Sequence, residues 1–385
     1  MRKERFLASE RLESLPPYLF VEIDKAKRQA REEGKDVIDL GIGDPDQPTP
    51  DFIVEALKKA AQDGANHHYA LDAGLSNLRE QIAKWYLSRF NVKLDPNSEI
   101  YPLIGSKDGL AHLSLGLINP GDSVLVPDPA YPVYRSGAIF AGAKVIPMPL
   151  LEENNFLPSL ESFPKAKLSF INYPNNPTAA VADKSFYEEL IRAANKNNIA
   201  IASDLAYSEI YYEDKRPLSF LEFEGAKDFA VEFHSLSKTY NMTGWRIGWV
   251  CGNRQIISLL ARVKTNVDSG IFQAIQLAGV TALQDLTDFP QKMRSLYQER
   301  RDVFVSGINR IGWKLTSPKA TFYVWAKVPT KEGSVEFAKR LLKEASIVCT
   351  PGVGFGKYGE GYVRFALTVP KGRLEEAIER IKRII

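Results

Sequence analysis

The chain has 385 residues, enough for two domains or for one large domain with a smaller lobe. A hydrophobic share of 44% with 25% charged residues is ordinary for a soluble globular protein. The net charge is only +3, and Lys and Arg are interleaved with Glu and Asp, so nothing favours a nucleic acid or a membrane surface as partner. Cys251 and Cys349 sit in apolar stretches and read as small core residues of a reducing cytoplasm, not as a disulfide or metal pair. The charged start, Met1 to Arg5, is not followed by an apolar run of signal-peptide length, and no stretch approaches the roughly 18 apolar residues of a membrane span. A soluble, cytoplasmic protein is expected.

To about residue 40 the chain reads as an arm leading into one polar helix, Glu22 to Glu33, ended by Gly34. The stretch Gly41-Ile42-Gly43-Asp44-Pro45-Asp46-Gln47-Pro48 is too rich in glycine and proline for a regular element, so the chain is turned there. Short apolar runs rich in β-branched residues follow at Ile100–Ile104, Ser123–Val126, Lys144–Met148, Leu168–Ile171, Ile199–Ala202, Val231–Phe233 and Ile247–Val250. Helical stretches separate several of them, most clearly Lys107–Leu117, Tyr131–Ala141 and Ser185–Asn195. Continuous apolar runs between helices predict an α/β fold with a parallel sheet covered on both faces. From about residue 290 come a long polar helix, a strand over Thr321–Val328, a helix over Ser334–Glu344, two short strands (Ile347–Thr350 and Tyr362–Leu367) and a basic helix. That order predicts a smaller α+β lobe. The pair His67-His68 lacks metal-ligand spacing and reads as loop polarity, so no metal is expected.

In a doubly wound sheet, ligands collect beyond the carboxyl ends of the strands. Here those ends carry Asn172 to Thr178, Ser203-Asp204 with Tyr207, His234-Ser235-Leu236-Ser237-Lys238, and Gly105-Ser106-Lys107 opening a helix. They offer a carboxamide, a carboxylate, a lysine flanked by hydroxyls, and a helix N-terminus suited to an anion. Pyridoxal phosphate needs such a set. Its aldehyde takes a lysine, its pyridine nitrogen a carboxylate, its ring oxygen a donor, and its phosphate backbone N–H groups, hydroxyls and a cation. Lys238, Asp204, Asn176 with Tyr207, and Ser106 with Ser235, Ser237 and Arg246 fill these roles in turn. Taken singly, each residue also has a plain structural reading. Asp204 can cap a turn, Ser106 can cap a helix, Tyr131 can be a core aromatic, and Arg364 can snorkel from an edge strand.

The segment Ser235-Leu236-Ser237-Lys238-Thr239-Tyr240-Asn241-Met242-Thr243-Gly244-Trp245-Arg246-Ile247-Gly248 resembles the cofactor-lysine segment of the class I/II (fold-type I) aminotransferases. The resemblance runs from Gly41 almost to the C-terminus. It takes in Tyr69 with Gly74 and Leu78-Arg79, Asp128-Pro129-Ala130-Tyr131, Asn175-Asn176-Pro177-Thr178, Asp204 with Tyr207, and Tyr362-Val363-Arg364. It implies an arm and small-domain segment over residues 1–45, a large cofactor-binding domain over 46–285 and a small C-terminal domain over 286–385. It further implies that Lys238 holds the cofactor and moves the substrate's proton, and that Asp204 pairs with the pyridinium nitrogen. Asn176 and Tyr207 would bond the ring oxygen, and Tyr131 would stack on the ring. Ser106, Lys107, Ser235, Ser237 and Arg246 would hold the phosphate. Arg364 would clamp the substrate carboxylate beside Ile42 and Gly43. Tyr69 would reach the phosphate of a neighbouring subunit, implying a homodimer with shared sites. Two positions depart from the family pattern. Ala179 stands where glycine is common, and Leu205 lies between Asp204 and Ala206; neither removes a functional atom.

A narrower resemblance, to the LL-diaminopimelate aminotransferases, lies in Leu15 to Ile23, Leu40 to Pro45, Ile104 to Lys107, Glu232 to Ser235 and Asn266 to Gly270. It implies amino transfer between LL-diaminopimelate with 2-oxoglutarate and tetrahydrodipicolinate with glutamate, in lysine and peptidoglycan precursor synthesis. Such a substrate carries a second ammonium and carboxylate. Asp72 would hold the first from across a dimer, and Tyr18 and Lys107 the second, although Asp72 also reads as a solvated turn residue. Three alternatives remain open at this point. They are transfer from another amino acid (aspartate, alanine, methionine or an aromatic), a carbon–sulfur β-lyase on the same scaffold, and a cofactor-sensing regulator. Against the last stands the lack of a basic recognition helix before Gly41.

Overall fold

The computed structural model of the protein describes residues 6–15, 19–70, 73–161, 163–284 and 287–385. In chain order the strands are β1 (Ile38–Asp39), β2 (Ile100–Leu103), β3 (Ser123–Asp128), β4 (Lys144–Pro149), β5 (Leu168–Asn172) and β6 (Ala200–Asp204). They continue with β7 (Ala230–Ser235), β8 (Gly248–Gly252), β9 (Tyr323–Lys327), β10 (Ile347–Val348), β11 (Thr350–Pro351) and β12 (Tyr362–Ala366). Seven of them form one sheet in the order β2-β8-β7-β6-β5-β3-β4.

The apolar runs do not alternate because both faces of this sheet are covered. On one face Val124, Phe170, Val231 and Phe233 pack with Leu110, Leu113, Tyr134 and Leu260 from the helices Ser106–Leu117, Val133–Phe140 and Arg254–Val267. On the other, Leu125, Ile171 and Ile201 pack with Ile82, Tyr86, Leu190 and Ala278 from the helices Ser76–Phe90, Lys184–Asn197 and Gln273–Leu283.

The sheet is mostly parallel, as expected for this fold class, with one strand reversed. β8 runs antiparallel to both β7 and β2, and the other pairings of the sheet are parallel. An antiparallel partner can be reached by a short connection, and the segment from Leu236 to Ile247 is that connection. A strand buried on both faces carries no sequence signal of its direction. The consequence is functional: β8 brings its N-terminal end, with Arg246 just before it, to the edge where β2, β5, β6 and β7 end. Leu103, Gly248 and Ser235 are register partners there, as are Asn172, Asp204 and Phe233.

Strands β5, β6 and β7 also run further than their apolar runs, through Asn172, Asp204 and Ser235. The ladder hydrogen bonds continue beneath polar side chains, which an apolar pattern cannot register. Near the N-terminus the helix is Leu19–Glu32, with Gly34 at φ +77 just beyond it. Ala179 sits at φ +59, the left-handed conformation that suits glycine.

The remaining strands form a three-stranded antiparallel sheet, β11-β12-β9, and the parallel pair β1-β10. Ile38 and Leu40 share an apolar cluster with Phe304, Val324, Phe337, Phe365 and Leu374, so the stretch before the Gly41 loop packs with the chain's last third. Cys251 and Cys349 are buried free thiols. No helix among the described residues is long and apolar enough to cross a membrane.

Candidate active site

A cleft of about 250 Å³ opens beyond the carboxyl ends of the large sheet. It gathers most of the residues singled out from the sequence: Ile42, Gly43, Ser106, Lys107, Tyr131, Asn176, Asp204, Tyr207, Ser235, Ser237, Lys238, Arg246 and Arg364. Tyr69 does not line it; its side chain is 91% exposed. Tyr18 and Asp72 lie outside the described residues.

Lys238 sits on the short helix Leu236–Thr239, whose first turn is capped by Ser235 Oγ accepting from Ser237 N–H. Its Nζ donates to the Gly43 carbonyl at 2.8 Å. Burial pulls its pKa from 10.5 down to about 8; Asp44 opposes the shift, and Arg364 and Arg246 add to it. The amine therefore loses its proton more readily than a lysine in water.

Asp204, 5% exposed at the end of β6, accepts from the Tyr134 phenol at 2.7 Å and from Ala206 N–H at 3.2 Å. Burial pushes its pKa up to about 6, against the pull of those two donors. Among the described residues no cation is ion-paired with it. A buried carboxylate in that state is suited to a ligand that brings its own positive N–H. Asn172 braces this end of the sheet: its Nδ2 donates to the carbonyls of Asp204 and Pro174, and its Oδ1 accepts from Asn176 N–H.

Two glycines open an anion cradle. Gly105, at φ +74, precedes the helix Ser106–Leu117, and a β-carbon on it would lie 2.3 Å from Arg246 Nη2. One on Gly248 would lie 2.8 Å from Ser106 N. Arg246 itself is held at φ +55, and its Nη1 donates to the Thr243 carbonyl at 2.7 Å. The helix N-terminus, the guanidinium and the hydroxyls of Ser106, Ser235 and Ser237 face the same cleft, a donor set suited to a phosphate dianion.

Arg364, on β12, is 3% exposed and donates to Asn176 Oδ1 and to the Gly41 carbonyl, each at 2.7 Å. Its guanidinium lies 4.2 Å from the Tyr323 ring centre and 4.8 Å from that of Phe355. The bond from Arg364 commits the Asn176 carbonyl and leaves the NH₂ end of that amide as the donor.

Three cleft residues escaped sequence reasoning. Tyr134, on the helix Val133–Phe140, lines the cleft three residues after Tyr131. Asn172 ends an apolar run and was visible only as part of a polar cluster. Tyr323, whose hydroxyl lies 2.8 Å from that of Tyr207, begins β9 and carries no local signal at all. Asp108, His112 and Asp268 cluster behind the cradle within metal-ligand distance of one another. The ammonium of the buried Lys264 bonds to both Asp108 and Asp268, so the half-buried cluster is an ion-pair network.

The model of the family "aminotransferase class I and II" matches residues 35–381. A protein of Aquifex aeolicus named LL-diaminopimelate aminotransferase is 55% identical over 384 residues, covering 98% of this chain and 99% of that one. One of the same name from Nitratidesulfovibrio vulgaris is 53% identical, with 98% and 99% covered. The substrate-bound structure of BacF from Bacillus subtilis superposes with a TM-score of 0.95 at 39% identity, covering 98% of each chain. Sheet, cleft and relatives agree, and the chain belongs to the class I and II aminotransferases.

Proposed function

We propose that this chain is a pyridoxal-phosphate-dependent aminotransferase that moves an amino group between LL-diaminopimelate and 2-oxoglutarate. The observation that carries the cofactor reading is Asp204, a buried carboxylate without a paired cation among the described residues, in the same cleft as a half-buried lysine and an anion cradle. The donor set fits the group in kind and number. When bound, pyridoxal phosphate supplies an electron sink for the carbon that loses its proton.

The protein's own residues do the rest. Lys238 Nζ would hold the cofactor's aldehyde carbon and would serve as the base for the substrate's α-proton, work to which its depressed pKa suits it. Asp204 would keep a proton on the pyridine nitrogen. Tyr207 and the Asn176 NH₂ would donate to the ring oxygen. Ser106, Lys107, Ser235, Ser237 and Arg246 would hold the phosphate, and Tyr131 would support the ring. Arg364 binds the substrate carboxylate beside Ile42 and Gly43, its planar fork matching two oxygens.

The substrate rests on the relatives' names and on a chemical need, a second ammonium and carboxylate to be satisfied. Lys107, Tyr18 and Asp72 are the proposed contacts, with Asp72 acting from a second copy of the chain. A homodimer with shared sites is part of the reading, and the exposed Tyr69, outside its own cleft, supports it. We place the enzyme in the cytoplasm and divide the chain at residues 45 and 285.

The test is glutamate formation from 2-oxoglutarate by the purified, cofactor-loaded protein, with LL-diaminopimelate set beside aspartate, alanine and phenylalanine. Preference for LL-diaminopimelate is expected. Turnover of another donor alone would discard the substrate, and bound cofactor with no transamination would favour the β-lyase. Asp72→Ala is expected to raise KM for LL-diaminopimelate and leave glutamate little changed.

A further inference from the structure

We propose that Tyr323 is a positioning residue that joins the two halves of the site. Its hydroxyl sets how strongly Tyr207 donates to the cofactor's ring oxygen, and its ring steadies Arg364 for the substrate carboxylate. The inference rests on the cofactor reading above.

Three contacts meet at this side chain. The Tyr323 hydroxyl lies 2.8 Å from the Tyr207 hydroxyl, with both residues buried. The Arg364 guanidinium lies 4.2 Å from the Tyr323 ring centre. A β-carbon on Gly43 would fall 2.0 Å from the Tyr323 hydroxyl, so the phenol occupies space that only glycine leaves open. The carbonyl of that glycine holds Lys238 Nζ at 2.8 Å. Tyr323 therefore stands between the ring-oxygen donor, the carboxylate clamp and the resting place of the lysine.

A phenol has one proton to give. When Tyr207 gives its proton to the ring oxygen, its bond to Tyr323 must run the other way, with Tyr323 donating. The two bonds then form a chain in which each strengthens the next. Stronger donation to the ring oxygen makes it easier for the Lys238 nitrogen, in its cofactor-bound form, to lose its proton.

The backbone fixes this placement at some expense. Thr321, β-branched and fully buried, is held at φ +64, a conformation such residues avoid. Its N–H donates to the Ile210 carbonyl at 2.8 Å, its carbonyl accepts from the Tyr212 phenol, and its Oγ1 accepts from Tyr323 N–H at 3.0 Å. The strained turn thus sets the start of β9, where Tyr323 stands.

The experiment uses the cofactor-loaded enzyme and two readouts besides activity. One is the pH midpoint of the bound cofactor's colour change; the other is the Kd of succinate, an unreactive carboxylate. Tyr323→Phe keeps the ring and should raise the midpoint by about 0.5 unit, the scale of part of one hydrogen bond, with succinate binding within about twofold of the parent. Tyr323→Leu should raise the midpoint equally and weaken succinate about 3- to 10-fold through loss of the cation–π contact. Tyr207→Phe should raise the midpoint further, and adding Tyr323→Phe to it should change nothing more, because the hydroxyl acts through Tyr207. An unmoved midpoint in Tyr323→Phe, or full additivity in the double variant, overturns the hydroxyl's role. Equal succinate binding in the Phe and Leu variants overturns the ring's. A parent protein that binds no pyridoxal phosphate would instead overturn the cofactor reading, and this proposal with it.

Discussion

The Arg246 guanidinium lies so close to Gly105 that a β-carbon on the glycine would fall 2.3 Å from Nη2. Neither residue can move freely: Gly105 is at φ +74 and Arg246 at φ +55, and the arginine is tied to the Thr243 carbonyl. Gly105→Ala should therefore push the guanidinium off the helix N-terminus and strain the turn that leads into it. The Kd for pyridoxal phosphate should rise at least about tenfold, equivalent to about 1.4 kcal/mol. Pyridoxal, which lacks the phosphate, should bind as it does to the parent. Equal losses for both ligands would mean that the glycine serves the fold and not the anion.

How far the site was legible depended on where its parts lie along the chain. Lys238, Ser235, Ser237 and Arg246 fall in one contiguous segment, because the short link between β7 and β8 packs the lysine and the residues proposed for the phosphate into a dozen residues. Asp204 was readable because a polar residue closing an apolar run marks the carboxyl end of a strand, and Asn176 because it falls in the polar stretch just beyond such an end. Tyr323 and Tyr134 were not, since an aromatic in a strand or a helix looks the same whether it packs in a core or lines a cleft. The direction of β8 was hidden for a related reason, as burial on both faces erases any directional pattern. Tyr69 is exposed and outside its own cleft, and the surface proposed for it belongs to a second copy.

Asp204 should give effects of opposite sign with and without the cofactor. In the unliganded protein its pKa is raised from 3.8 to about 6, chiefly by burial. The cost of keeping it charged is thus full above pH 6 and is relieved as pH falls toward 3.8. Asp204→Asn removes that cost but keeps only one acceptor oxygen for Tyr134 and Ala206. The unliganded variant should be more stable by about 1–2 kcal/mol at pH 8, with the gain shrinking toward pH 4. The loaded variant should be less stable than the loaded parent. Thermal unfolding at both pH values checks this, and destabilisation of the unliganded form at pH 8 would contradict it.

Lys238 should titrate well below an ordinary lysine. Reaction of the unliganded protein with pyridoxal should accelerate with pH around a midpoint near 8. Arg364 and Arg246 help to lower that value, so replacing either with Ala should move the midpoint up; Asp44 opposes them, so Asp44→Asn should move it down. The folded-state pKa lies below the unfolded value of 10.5, so the stability cost of the buried ammonium is full below pH 8 and lifts as pH rises toward 10.5. Stopped-flow absorbance from below pH 8 to above pH 10.5 reads the midpoint, a window set by the folded value of about 8 and the unfolded value of 10.5. A midpoint near 10 would place the amine in water and not against Gly43.

The ion-pair network behind the cradle should reach the cofactor through one carboxylate. Lys264, 3% exposed on the helix Arg254–Val267, bonds to Asp108 on the helix whose N-terminus forms the cradle. Asp108 also accepts from Ile104 N–H at 3.1 Å and from His112 at 2.8 Å, so its position governs the turn from β2 into that helix. Lys264→Met leaves Asp108, and the more exposed Asp268, without the buried ammonium. Breaking one side of such a pair costs about 3–5 kcal/mol, whereas replacing both sides is close to neutral. The single variant should therefore lose stability and bind pyridoxal phosphate more weakly, because the carboxylate will seek water and drag the Ile104 turn with it. Adding Asp108→Asn, which still accepts from Ile104 N–H, should recover most of both losses. Recovery of stability without recovery of cofactor affinity would separate the two, and would show that the charge on Asp108, and not its place in the turn, is what the cradle requires.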